Sequence, residues 1–121
     1  MRNRSEYTLR NQRDFNRVYK QGKSRGSKFS VILYRRNGLG HTRTAFVASK
    51  KVGNSVERNR ARRLMRAAYR SVEAGIAGGY DIVFVARATI NGHKEPEVER
   101  CLRRALEESG LLRDRRNNNE E

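Results

Sequence analysis

One stretch constrains this chain more than any other. From Ser49 to Arg70 it reads Ser-Lys-Lys-Val-Gly-Asn-Ser-Val-Glu-Arg-Asn-Arg-Ala-Arg-Arg-Leu-Met-Arg-Ala-Ala-Tyr-Arg. The first part is a glycine-containing loop and the second predicts a helix. Asn54 is placed to cap its N-terminus, and Glu57, three residues on, to reach back to the Asn54 amide as in a capping box. Ala61, Leu64, Met65, Ala68 and Val72 recur at helical spacing and form one apolar stripe. Shifted back by two residues, the set becomes Asn59, Arg62, Arg63, Arg66 and Arg70. Two residues turn a helix by about 200°, so this second set lies opposite the first. Like charges at these spacings repel by roughly 0.2–0.5 kcal/mol per pair, a cost whose sign a polyanionic partner would reverse. A surface helix ordinarily mixes both signs of charge. Here no acid stands between Glu57 and Glu73, which sets an RNA-facing surface above a merely solvated one.

The rest of the composition agrees. The chain has 121 residues, 28 Lys and Arg against 13 Asp and Glu, and a formal net charge of +15. Its pI near 11.2 is the electrostatic footprint of a nucleic-acid binder, held by steering and counterion release. Arginine dominates, and its planar fork suits phosphate and stacks on bases. The length suits one domain with one modest core, and we assign it residues 1–112, with 113–121 a disordered polar tail. Cys101 is the only cysteine, so no intrachain disulfide and no cysteine metal cluster are available. No apolar run approaches a membrane span and no signal-peptide core is present. A cytoplasmic protein is expected.

Taken in order, residues 1–8 read as a basic, poorly ordered arm. Asn11 to Gln21 predicts the first helix, capped by Asn11, with Asp14 in its first turn and Gly22 at its end. Phe15, Val18 and Tyr19 share one face of it, which by spacing alone is a core face. Gly22 to Ser27 reads as a loop. Lys28 to Arg36 alternates, with Phe29, Val31 and Leu33 facing one way and Ser30, Ile32 and Tyr34 the other. A hairpin turn at Asn37-Gly38 leads to a second strand over Arg43 to Ser49. Tyr80 to Arg87 is nearly continuous apolar, as for a strand covered on both sides. Pro96 opens a last helix whose stripe is Val98, Cys101, Leu102, Ala105 and Leu106. Strands and helices in this order imply an α/β sandwich.

No protein active site emerges. His41 and His93 stand in loops without ligand-spaced partners, Cys101 sits on an apolar stripe, and no nucleophile elbow or phosphate-binding glycine loop is present. No catalytic and no metal-ligating residue is assigned.

The Ser49–Arg66 block resembles the signature of the bacterial ribonuclease P protein subunit. It has a Lys50-Lys51-Val52-Gly53-Asn54 loop, then Arg58-Asn59-Arg60-x-Arg62-Arg63-Leu64-x-Arg66 on a basic helix. The resemblance runs from about Leu9 to Leu106. It implies a small mixed sheet packed with three helices, with a left-handed β-α-β crossover through the Arg-rich helix in place of the usual right-handed one, and one further short strand. It implies that the RNA subunit is the catalyst, hydrolysing one phosphodiester bond of precursor tRNA with Mg²⁺ to free the 5′ leader. The protein would bind that RNA and the leader, and require no protein partner. By resemblance and helical geometry, Lys50, Lys51, Asn54, Arg58, Asn59, Arg60, Arg62, Arg63 and Arg66 form the surface for the catalytic RNA and nearby substrate. Arg70 is added by geometry alone. The resemblance further makes Phe15, Tyr19 and Tyr34 leader-cleft residues. Some members carry an aromatic cleft residue after the last helix, where this chain offers Leu111 and Leu112.

Charge and the arginine helix fit a basic structural RNA-binding protein of ribosomal-protein type equally well, though the loop and the aromatic pair do not single it out. A duplex-DNA binder fits less well, since the helix offers few Asn or Gln for base reading. A peripheral membrane helix fits least, having no Trp or Phe in its stripe.

Overall fold

A computed structural model describes residues 7–113. The elements are α1 (Gln12–Gln21), β1 (Lys23–Gly26), β2 (Ser30–Arg36), β3 (Arg43–Val47), α2 (Ser55–Val72), β4 (Tyr80–Ala86) and α3 (Glu95–Glu108). The sheet order is β1-β2-β4-β3. β2 runs antiparallel to β1 and β4, while β3 and β4 are parallel. Parallel neighbours need a crossover, and α2 supplies it. The expected α/β sandwich of three helices and a small mixed sheet is present. The apolar run of β4 has its reason in this order: β4 is flanked by strands and covered on both faces, and Ile82, Val83 and Phe84 are each 0% exposed.

Strand alternation divides the core in two. Ile32, Phe46, Ile82 and Phe84 join Ala61, Met65, Ala68 and Leu102 on the side of α2 and α3. Leu33, Ala45, Val47, Val83 and Val85 join Leu9, Phe15 and Val18 on the side of α1. Phe84 anchors the larger core, its ring 5.0 Å from Phe46 and 5.3 Å from Tyr69. Tyr69 is buried and Leu64 only partly so, a small rotation of the expected α2 stripe.

A buried charge pins α1 to this sheet. Asp81 is 5% exposed and lies opposite Arg43 in the parallel ladder. Arg43 grips it with Nε and Nη2, each at 2.8 Å, and Asn37 Nδ2 adds a third bond at 3.0 Å. Nη1 of Arg43 reaches Asp14, in the first turn of α1, at 3.3 Å. The hydrogen bonds to Asp81 raise the pKa of Arg43 above its ordinary value, so the guanidinium stays charged. At the other end of α1, Gly22 lets the chain turn into β1. A Cβ there would stand 2.4 Å from the Val18 carbonyl oxygen and 2.8 Å from that of Tyr34.

Several expectations need correction. Lys23–Gly26 is not loop but β1, an edge strand exposed at every position. It shows no apolar alternation because its order comes from the backbone of β2. Phe29 does not share a face with Val31 and Leu33. β2 begins at Ser30, and a turn closed by Ser27 N–H to the Ser30 carbonyl at 2.8 Å sends Phe29 into the α2/α3 core. The N-terminal arm is not wholly detached: Thr8 bridges Thr44, and the Leu9 amide donates to the Thr44 carbonyl at 2.9 Å. Leu111 and Leu112 are buried in the main core, away from α1, so neither stands in for a cleft aromatic. Arg113 donates its amide to the Gly75 carbonyl at 3.2 Å. The rest of the expected tail, 114–121, lies outside the described residues, as do residues 1–6. No helix among the described residues is long and apolar enough to cross a membrane.

Candidate nucleic-acid interface

The basic block is built as its sequence requires. Asn54 caps α2: its Oδ1 accepts from the Glu57 amide at 2.9 Å, and Glu57 Oε1 accepts from the Asn54 amide at 2.9 Å. The box closes only because residue 53 is glycine. Gly53 has φ +145°, and a Cβ there would stand 2.0 Å from Glu57 Oε1. We therefore expect Gly53→Ala to cost about 1–3 kcal/mol through the lost cap and strained backbone, read as a lower denaturation midpoint. An unchanged midpoint would show that the box contributes nothing to stability.

Val52 is buried and holds the loop down, its amide bonded to the Ser49 carbonyl at 3.0 Å. Lys50, Lys51 and Asn54 are consequently exposed on the outside of the turn. Along α2, Asn59, Arg63, Arg66 and Arg70 are exposed and Arg62 half-buried, with Arg62 donating to the Asn59 side chain. Among the described residues no arginine of α2 forms an ion pair with a carboxylate. The row of guanidinium groups is left to an external anion. Two members of the block are different. Arg58 is half-buried, and its Nε has no partner within the described residues. Arg60 is half-buried and donates from Nη2 to the His93 carbonyl, in the connection before α3.

On the other side of the sheet α1 presents its aromatic pair. Phe15 is half-buried, Tyr19 is 49% exposed, and the rings lie 6.4 Å apart at 19° to one another. Partial burial pushes the Tyr19 phenol up, so it stays protonated at neutral pH. Between α1, β3 and α2 lies a cleft of about 290 Å³, lined by Thr8, Leu9, Phe15, Thr44, Ala45, Phe46, Val47 and Arg66. Arg66 sits over the Phe46 ring at 5.4 Å. One cleft at the free edge of β3 thus joins the aromatic side of α1 to the basic face of α2.

Tyr34 does not join that cleft. Pairing with Ile82 and sharing parity with Ile32, it projects to the α2/α3 face. There its ring meets Tyr80 at 6.5 Å, and Arg36 lies over Tyr80 at 5.3 Å. The β2 residues that do face α1 are Leu33 and Val31. His93 also departs from expectation: it is half-buried, with Nδ1 2.7 Å from Glu97 Oε2 and its ring 4.5 Å from that of Phe29. Sequence reading missed Leu9, Thr44 and Phe46 as cleft residues, because the cleft forms where three distant segments meet.

The family model of ribonuclease P matches residues 4–110. The chain belongs to the ribonuclease P protein family. Relatives include the ribonuclease P protein component of Alkaliphilus oremlandii, 39% identical over 104 residues, 86% of this chain and 91% of that one. The protein component of Alkaliphilus metalliredigens is 38% identical over 108 residues, 89% of this chain and 97% of that one. Among solved structures, the RNase P protein of Staphylococcus aureus superposes with a TM-score of 0.79 at 27% identity, covering 88% of this chain and 98% of that one. That of Thermotoga maritima gives 0.71 at 31% identity, covering 78% and 90%. Membership makes this chain an RNA-binding protein component of the ribonuclease P ribonucleoprotein, engaged in tRNA processing with the ribonuclease P RNA as partner. The ribosomal-protein reading gives way to it.

Proposed function

We propose that this protein docks on the catalytic RNA through the basic face of α2 and guides the 5′ leader of precursor tRNA along the cleft beside α1. The observation that carries this reading is the shared cleft: Arg66 from the basic face and Phe15 from the aromatic pair line the same cavity. A single strand leaving the RNA surface meets cation and ring in succession, the combination that single-stranded RNA favours. Lys50, Lys51, Asn54, Arg58, Asn59, Arg62, Arg63, Arg66 and Arg70 form the RNA surface, and Phe15 and Tyr19 the leader side. Tyr34 is left out, since it points to the opposite face.

In this reading the RNA performs the hydrolysis that separates leader from mature 5′ end, and the protein works in the cytoplasm. Mg²⁺ would support the chemistry at the scissile phosphate. Among the described residues no three His, Cys, Asp or Glu side chains gather to hold a metal, so the ion would be held by RNA oxygens. What this chain supplies is charge neutralisation and alignment.

The test is a reconstituted holoenzyme with Tyr19→Ala. Affinity for precursor tRNA should approach that for mature tRNA, the gap narrowing by roughly 1–3 kcal/mol if Tyr19 carries one stacked base. Tyr19→Phe should nearly keep the gap, because the ring does the stacking. Equal weakening of both tRNAs would remove Tyr19 from the leader path. Metal-dependent cleavage by protein stripped of all RNA would overturn the ribozyme assignment.

A further inference from the structure

We infer that Arg60 and Asn91 act as a pair of positioning residues, and that Arg60 serves RNA binding by bracing the basic block and not by contacting phosphate. The inference rests on the RNA-facing reading of α2. Two hydrogen bonds carry it, and they run in opposite directions across one seam. Asn91 Nδ2, in the connection between β4 and α3, donates to the Val52 carbonyl at 2.7 Å. Arg60 Nη2 donates back from α2 to the His93 carbonyl in the same connection. The connection is itself anchored. Ile90 is 0% exposed, the His93 ring packs on Phe29, and His93 Nδ1 bonds Glu97.

The seam therefore grips the basic block at two places, the loop that carries Lys50 and Lys51 and the first turns of α2. Val52 is the residue directly after that lysine pair, and fixing its carbonyl fixes where the pair points. Arg60 flanks the row of Arg63, Arg66 and Arg70 on the helix surface. Its fork is turned to a backbone carbonyl on the α3 side, whereas those three are exposed. A surface that reads RNA through several cations at once binds best when they are held in place beforehand, since ordering them on binding costs affinity.

Salt dependence separates a brace from a phosphate ligand. Removing one phosphate-binding cation lowers the slope of log affinity against log salt by about one, and removing a positioning residue leaves the slope unchanged. The experiment measures binding of the full chain to a transcribed bacterial ribonuclease P RNA between about 50 and 200 mM salt. The variants are Arg60→Met, which keeps the aliphatic stem, Asn91→Ala, and Arg63→Ala as the phosphate control. We expect Arg60→Met and Asn91→Ala each to weaken binding roughly five- to twenty-fold with the parent slope, and Arg63→Ala to flatten the slope. Should Asn91→Ala fail to fold, Asn91→Ser, which keeps a donor on a shorter arm, takes its place, with the same expectation of weaker binding at constant slope. A flattened slope for Arg60→Met makes Arg60 a phosphate ligand and overturns the inference, as does parent affinity in folded Arg60→Met or in the folded Asn91 variant. If Arg63→Ala also changes nothing, the RNA-facing reading of α2 falls, and the brace with it.

Discussion

Replacing Arg63, Arg66 and Arg70 together by alanine should lower affinity for ribonuclease P RNA by roughly 10²–10³-fold at about 0.1 M salt. The magnitude follows from counterion release. Each phosphate neutralised contributes nearly one power of the salt concentration, so three such cations contribute nearly three powers of ten at about a tenth molar. The slope against salt should flatten by about two to three at the same time. The fold should survive, because all three side chains are exposed and none pairs with an acid among the described residues. The one packing loss is the Arg66 guanidinium over Phe46, worth about 0.5–1 kcal/mol at an exposed site. A parallel fall in thermal stability and affinity, with the slope unchanged, would show that the row is structural and that the RNA lies elsewhere.

The second large effect belongs to the buried carboxylate. Arg43→Ala should cost about 3–5 kcal/mol, because it leaves Asp81 charged and buried with only the Asn37 amide as a partner. A loss of that size would lower the melting temperature by roughly 10 °C or more in a domain of this length. The same change frees Asp14 and so loosens α1 from the sheet. Variant molecules that still fold at low temperature should therefore discriminate precursor from mature tRNA poorly, while binding the catalytic RNA nearly as the parent does. Replacing both partners by apolar residues of similar volume should recover much of the stability, since the isolated charge is then gone. Parent-like stability of Arg43→Ala would mean that Asp81 reaches water when its partner is removed.

These two sites differ in how far the sequence reveals them. The α2 face is legible because everything that makes it is local. The capping residues stand three apart, the stripe and the arginine row follow from 3.6 residues per turn, and the absence of acids needs no partner to be seen. The same holds for the apolar run of β4, for Pro96 at the start of α3, and for the stripe that buries Leu102 and Leu106. Even the parity of β2 could be read from its alternation, which set Tyr34 with Ile32 and against Leu33.

Tertiary structure decided which of those two faces received α1, and with it that Tyr34 lies away from Phe15 and Tyr19. Alternation says that two faces exist, but it does not say which helix covers which. β1 was likewise invisible, because an edge strand with four exposed residues takes its order from its neighbour. The hydrogen bonds that hold the candidate site in shape all cross long separations: 38 residues from Arg43 to Asp81, 39 from Val52 to Asn91, 33 from Arg60 to His93. Each arises only once β3 and β4 pair in parallel and α2 folds across them. The sequence by itself thus determined the charged surface and the helices that carry it. Only the packed sheet determined which side chains meet across it, because hydrogen bonds between distant segments leave no periodic trace in the chain.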